Sequence, residues 1–303
     1  MDKNTGMIQT VCPVCSTDRH DAQVYPSNFD LNDLSPDVFS ARRLPDRIHY
    51  RIVTCTNCGL LRSNPIADET VLAALYAKSK FTYAEESVWA AKTYLDYFER
   101  QIGTLSKEAR ILEIGCGNGS FMDALYKAGY GNVLGVEPSV EAIGQAGALK
   151  GLIHQGMFTG GIYPPNHFDV IAAFQVFDHL SRPSEFLDEC LACLKPEGKL
   201  FLIMHNIAAP TARLLGRSCP MIDIEHPFLY NRGTLNKLLQ AKGFRVKSNF
   251  AVHNRYPLKY WAKLVPAPAR IKTGILNFLE HHSAGQTPLT LSAGNMGVVA
   301  VRP

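Results

Sequence analysis

The chain has 303 residues, 46% hydrophobic and 19% charged, with a net charge of +4 and a mean hydropathy of -0.05. That length admits one large domain with an accessory module or two compact units, and the composition excludes a disordered or fibrous chain. No apolar run approaches the roughly 18 residues of a membrane span, and the polar start lacks the layout of a secretory signal, so a cytoplasmic setting is expected and the eight cysteines read as metal or thiolate chemistry rather than disulfides.

The first feature in chain order is a pair of short cysteine motifs, Cys12-Pro-Val-Cys15 and Cys55-Thr-Asn-Cys58-Gly59, separated by 39 residues. This is the layout of a four-thiolate zinc site, in which a d¹⁰ ion takes tetrahedral sulfur without redox chemistry and no open position remains for catalysis. A redox pair is the competing reading. Residues 1–65 are therefore expected to form a small zinc-binding module. Apolar residues then recur at helical steps, Val71, Leu72, Leu75 and Tyr76, later Val88, Trp89, Tyr94, Leu95 and Phe98, which predicts a helical linker or lid over 66–109. Tyr83 and Trp89 in this stretch read as core before they read as substrate contacts.

From Arg110 the pattern becomes strand, turn, helix. Strands are expected at 111–114, 133–136, 152–153, 168–174 and 199–204, helices at 121–128, 140–149 and 183–194, then a helix at 234–241 and strands at 245–252 and 296–301. Such alternation predicts a parallel sheet covered on both faces. Two insertions interrupt it, 207–233 and 255–290. The cysteines at 190 and 193 fall inside an amphipathic helix and read as core, and Cys116 as a small filler.

The first strand runs into Glu113-Ile-Gly115-Cys116-Gly117-Asn-Gly119, where glycine permits positive φ and close approach of a ligand to the backbone. The third glycine comes one residue too early for a dinucleotide fingerprint. Glu137 ends the second strand, placed to accept a pair of ribose hydroxyls. An adenosine-like ligand other than NAD is the expectation.

These residues resemble the class I S-adenosylmethionine-dependent methyltransferases over about Arg110–Arg302. The likeness rests on Ile111-Leu-Glu-Ile-Gly-Cys-Gly-Asn-Gly119, Val136-Glu-Pro-Ser139, Phe168-Asp-Val-Ile-Ala-Ala-Phe-Gln-Val-Phe-Asp-His-Leu180 and Leu194-Lys-Pro-Glu-Gly-Lys-Leu200. It implies a Rossmann-like α/β methyltransferase core, a seven-stranded, mostly parallel sheet with an antiparallel last strand, preceded by the zinc module. It also implies S-adenosylmethionine held by Glu113, by the backbone of Gly115, Cys116, Gly117 and Gly119, by Glu137 and Pro138, and by Phe174 and Gln175 beneath the methyl group. Met157 stands where many relatives carry an acid against the adenine. The cysteine module makes the whole chain similar to sugar C-methyltransferases that act on nucleotide-linked keto-sugars. Their Tyr-His-Glu-His-like segment matches here only in Glu225 and His226, with Asp223 and Ile224 departing from it, which leaves O-methylation open.

Bottom-up, a neutral imidazole can take the acceptor's proton while a carboxylate orients it. His226 with Glu225 is the expected base, His179 its main competitor, and His205 and Asn206 are expected acceptor contacts at the sheet's carboxyl edge. Residues 226–279 hold ten Lys/Arg and no Asp or Glu. Arg213, Arg217, Arg232, Arg255 and Lys259 in or near the insertions are thus expected to face a phosphate-bearing substrate. The rival reading, an RNA or protein methyltransferase gripping its substrate through the zinc module, is disfavoured by six basic against seven acidic residues over 1–60. The stretch 256–279, broken by Pro257, Pro266 and Pro268, reads as a lid or a homodimer contact rather than a membrane anchor.

Overall fold

The computed structural model describes residues 6–29, 48–77, 84–264 and 269–303. Tyr83, Pro266, Pro268 and most of the charges counted over 1–60 lie outside the described residues. The chain begins with β1 (Met7–Ile8), β2 (Asp21–Tyr25), β3 (Ile52–Cys55), β4 (Leu61–Ser63) and β5 (Ile66–Ala67). β2, β3 and β4 form an antiparallel meander, and β1 pairs with β5. Helices α1 (Glu69–Ala77) and α2 (Ala84–Ile102) lead to the second unit.

That unit runs β6 (Arg110–Ile114), α3 (Ser120–Lys127), β7 (Asn132–Glu137), α4 (Val140–Gly144), β8 (Ile153–Gln155), β9 (Phe168–Phe174), α5 (Pro183–Cys193) and β10 (Leu194–His205). It continues with α6 (Pro210–Leu215), β11 (Phe228–Leu229), α7 (Arg232–Ala241), β12 (Arg245–Pro257), α8 (Leu258–Leu264), α9 (Ala269–His281) and β13 (Pro288–Val301). Seven strands form one sheet in the order β12-β13-β10-β9-β6-β7-β8, and only β13 runs antiparallel to its neighbours. The expected Rossmann-like methyltransferase architecture is what the chain adopts.

Alternation along the strands assigns the two faces. Leu112, Ile171, Ala173, Leu200, Leu202 and Val298 meet α5 and α7 on one side, where Phe186, Leu187, Cys190, Cys193, Leu235 and Leu238 are buried. Ile111, Val170, Ala172, Phe174, Phe201 and Val299 meet Phe98 of α2 and Phe121 of α3 on the other. Both faces being covered explains why these strands read as continuous apolar runs.

Three expectations need correction. The helix expected over 140–149 stops at Gly144, and a 3-10 turn, Gly147–Leu152, follows; Gly144, Gly147 and Gly151 weaken a continuous helix. The strands expected to end at Val252 and begin at Met296 continue past the sheet as a two-stranded arm, with Asn254 paired to Leu291 and Pro257 to Pro288. The arm takes up much of the expected insertion at 255–290, and exposed His253 and Arg255 alternating with buried Asn254 and Tyr256 are its strand signature. The fifth strand starts at Leu194, five residues earlier than expected, with an irregularity before Lys199.

The cysteine module is joined to this unit by main chain. Phe228 and Leu229 of β11 pair with Arg62 and Leu61 of β4, completing a four-stranded sheet. Its polar centre is Arg62, fully buried, whose guanidinium donates to the Thr10 carbonyl at 3.1 Å and to Asp21 Oδ2 at 2.7 Å.

Candidate active site

Two matching turns bring the four expected thiols together. In each, the residue four beyond the first cysteine donates its N–H to that cysteine's carbonyl, Ser16 to Cys12 and Gly59 to Cys55, both at 2.7 Å. Both turn residues lie at positive φ, 54° and 82°. The Sγ atoms of Cys12 and Cys58 stand 3.4 Å apart and those of Cys55 and Cys15 3.8 Å, with all four within 4.8 Å of one another. Sulfurs around a tetrahedral zinc lie about 3.8 Å apart when the bonds are near 2.3 Å, so the set fits that ion. Asn57 Nδ2 donates to Cys15 Sγ at 3.2 Å, an outer hydrogen bond of the kind that tunes a thiolate.

At the carboxyl edge of the sheet the glycine turn is held from three sides. Glu137 accepts from the amide of Gly117 through Oε2 and from that of Ser139 through Oε1, each at 2.8 Å. Gly115 and Cys116 donate to the Val136 carbonyl. From α2, Ser87 Oγ reaches Asn118 Oδ1 at 3.3 Å and Ser120 Oγ at 2.9 Å. Gly115, Gly117 and Gly119 all have positive φ. At Gly115 a Cβ would come within 2.3 Å of Val176, so the turn requires glycine there. Burial pushes the Glu113 carboxyl well above the usual range, the nearby Glu137 adding to it, and Glu113 Oε2 has no hydrogen-bond partner. Burial also raises Glu137, against the amides that favour its ionised form.

The turn opens on a cavity of about 960 Å³. Every expected cofactor residue except Gly119 lines it: Glu113, Gly115, Cys116, Gly117, Glu137, Pro138, Met157, Phe174 and Gln175. Gly119 faces away, towards Leu149. Gln175 sits at φ 56°, unusual for a residue with a side chain, and its buried Oε1 has no partner. An acceptor in a turn and orphaned carboxylate and amide oxygens beside it fit a ligand with amino and hydroxyl donors, as S-adenosylmethionine has.

The far floor of the cavity is built from three loops. The 3-10 turn Phe177–His179 follows β9, His205 ends β10, and Asp223, Glu225 and His226 lie between α6 and β11. His226 Nδ1 is 2.6 Å from Asp223 Oδ1, and His205 Nδ1 is 2.7 Å from Asp178 Oδ2. The His226 ring lies 4.4 Å from that of His179 and 4.7 Å from that of His205, centroid to centroid. The carboxylate on His226 is therefore Asp223, three residues before it, rather than the expected Glu225, whose own N–H donates to Asp223 Oδ1 at 3.0 Å. Glu225 does line the cavity. Burial would drive His226 neutral, but Asp223, with Asp178 and Glu225 adding, outweighs it and pushes the imidazole up to about 9. His179 goes the other way, down to about 4, through burial and the neighbouring His226 charge. Burial would raise Asp178 and Asp223; the histidines hold both below the usual carboxylate range.

Side chains beyond the expected set complete the acceptor end. Tyr256, Tyr260 and Trp261 form an aromatic wall with ring centroids 4.1 to 5.7 Å apart, packed on Ala90 of α2. Asn254 and Asn295 are buried beside it, joined by a 3.1 Å hydrogen bond. The expected cations do not line the cavity. Arg213, Arg217, Arg232, Arg255 and Lys259 are absent from its walls, Arg217 lying over the Tyr25 ring and Lys259 paired with Glu85 at 2.7 Å. Lys263 and Lys272 line it instead. Asn206 is not in the walls, while His205 is. These residues went unrecognised because they lie on arms and helices whose inward face becomes visible only when β12 and β13 are seen to extend.

A family model described as a methyltransferase domain matches residues 87–249, over half of the 303 residues. The chain belongs to this methyltransferase family. Ubiquinone biosynthesis O-methyltransferases are among its relatives: that of Rhodopseudomonas palustris (strain TIE-1) is 32% identical over 116 residues, 36% of this chain and 46% of that protein. That of Bradyrhizobium diazoefficiens is 33% identical over the same shares. The chain thus spans about half the length of the curated relatives it matches. Among solved structures, the YcgJ protein from Bacillus subtilis aligns over 69% of this chain and 97% of its own at 18% identity and TM-score 0.49. Geranyl diphosphate C-methyltransferase from Streptomyces coelicolor A3(2), in complex with Mg2+, geranyl diphosphate and S-adenosyl-L-homocysteine, aligns over 70% and 77% at 10% identity and TM-score 0.47. Among the described residues of this methyltransferase, no helix is long and apolar enough to cross a membrane.

Proposed function

We propose that this methyltransferase acts on a small phosphate-bearing acceptor, a nucleotide-linked keto-sugar or a related biosynthetic intermediate, and that the four cysteines hold a structural zinc. The carrying observation is the single cavity that runs from the glycine turn, past Gln175, to the imidazole cluster and to Lys263 and Lys272. When bound, S-adenosylmethionine supplies an electrophilic methyl group on a sulfonium. Glu137 and the amides of the turn hold it. The acceptor's hydroxyl or acidified carbon surrenders its proton to the neutral imidazole of His179, and the charged His226 beside it, with Asp223 and Glu225 as its carboxylates, balances the anion that forms. The aromatic wall excludes water and fixes the acceptor in line with the methyl group. Lys263 and Lys272 give a phosphate its counter-charge.

A second reading is favoured by the wall of Tyr256, Tyr260 and Trp261, which suits a planar aromatic hydroxyl acceptor, and by relatives named as O-methyltransferases. Purified protein incubated with methyl-labelled S-adenosylmethionine and a panel of nucleotide-linked keto-sugars, catechols and tRNA separates the readings. Label is expected in a sugar nucleotide and is expected to vanish in His226→Ala; label in a catechol instead selects the second reading, and label in tRNA defeats both.

A further inference from the structure

We propose that Asp178, His205 and His226 form a second metal site, at the floor of the cavity, for a divalent cation of the zinc, cobalt or manganese kind. One donor atom from each of the three residues lies within 4.8 Å of the other two. They come from three separate segments, the turn after β9, the end of β10 and the loop before β11, so their convergence is a property of the fold and not of local sequence.

Two orphaned atoms point to a missing partner. His226 Nε2 and Asp178 Oδ1 are both buried without a hydrogen bond, on residues that are 6% and 2% exposed. A buried polar atom left unpaired is costly, and native structures rarely tolerate several in one place. The other edge of each ring or carboxyl is already committed. His226 Nδ1 is held by Asp223 at 2.6 Å, and Asp178 Oδ2 accepts from both the backbone N–H and the ring of His205, at 3.1 and 2.7 Å. A carboxylate on one ring nitrogen, leaving the other free, is the arrangement found behind metal-bound histidines, where it fixes the tautomer and raises the ligand's basicity. Two imidazoles and one carboxylate on one side of an ion, with the remaining positions open to the cavity, select a borderline transition ion over magnesium or calcium. Bonds near 2.0–2.1 Å place neighbouring ligand atoms roughly 3–3.5 Å apart, so the donors draw in by roughly 1 Å as an ion binds.

This site differs in kind from the cysteine cluster. Four thiolates close a coordination sphere; two imidazoles and a carboxylate leave it open where the acceptor lies. The inference rests on the reading that the acceptor loses its proton at this floor, and it divides the labour there. An ion bound by Asp178, His205 and His226 would supply Lewis acidity to an acceptor oxygen, with the His179 ring beside it, 4.4 Å from that of His226. His205, expected from sequence as an acceptor contact, becomes a ligand.

The test uses the full-length protein stripped of metal by chelator and refilled with Co2+ alone. Cobalt at thiolates gives strong charge-transfer absorption in the near ultraviolet, whereas cobalt at imidazole and carboxylate gives only weak visible bands. The wild type is expected to bind one equivalent of each type. His205→Ala and Asp178→Asn are expected to keep the thiolate signal, which certifies the fold, and to lose the second equivalent. A wild type that binds only at thiolates overturns the site, as do variants that retain both equivalents. Methyl transfer by His179→Ala is read alongside. A second equivalent with unimpaired transfer in that variant defeats the proton-acceptor reading and leaves the site standing; lost transfer with no second equivalent does the reverse.

Discussion

The two ends of the cavity are built by different means. At the cofactor end the backbone makes the site: one turn between one strand and one helix, fastened by Glu137 across a single crossover. At the acceptor end side chains make it, from segments near residues 178, 205, 226, 254 and 295 that meet only in the folded chain. The first construction tolerates no change in the turn but accepts many side chains around it. The second can be rebuilt residue by residue, which is how one fold comes to serve many acceptors.

Four measurements break or sharpen that contrast. The largest effect is expected outside both ends, from Cys55→Ser or a strong chelator. Structural zinc contributes on the order of 10 kcal/mol to the folding of small modules, so amide protection over 48–63 should collapse while that of β6, β9 and β10 persists, by hydrogen exchange. Next, His226→Ala, which takes away the ring that touches both His179 and His205, should lower methyl transfer by about 10²–10⁴-fold, the range lost with an acid–base group, with S-adenosylhomocysteine affinity by calorimetry unchanged. Glu137→Gln should do the opposite. One of the two amides keeps an acceptor, now neutral, and the other is left facing the new NH2 group, so roughly 1–2 kcal/mol, about ten- to thirtyfold in Kd, should be lost at the cofactor end. The smallest effect is expected from Lys272→Ala, several-fold in KM for phosphate-bearing acceptors and none for a neutral catechol. If His226→Ala weakens cofactor binding as much as it slows transfer, the two ends are not separate constructions.

The same contrast explains what was legible beforehand. The strand, the Gly115–Gly119 turn and Glu137 are contiguous or one crossover apart, and their spacing is dictated by the ligand's shape, so sequence carries them. The cysteine pairs are legible because the two-residue gap and the turn that closes it are local in sequence. The floor is not. His226 is legible as a member of the cluster, but its carboxylate is Asp223, because the loop curls so that the residue three back faces the ring, a feature without periodicity. Asn254, Asn295, Tyr256, Tyr260, Lys263 and Lys272 stayed hidden because β12 and β13 extend beyond the sheet, where polar and apolar residues alternate in a stretch that reads as an irregular insertion. The basic stretch 226–279 does reach the cavity, but through Lys263 and Lys272 and not through the cations expected there.

The pairing of β11 with β4 also sets an order of assembly. The cysteine module is made before the sheet unit that follows it, yet its own sheet waits for Phe228 and Leu229, which pair with Arg62 and Leu61 across a long stretch of chain. Closing so long a loop is slow and entropically costly, and contacts of this kind form late. The same two residues follow His226 directly. The last strand to dock on the module therefore sets the imidazole floor in place as it arrives, and the nascent protein holds its cofactor turn before it possesses an acceptor site.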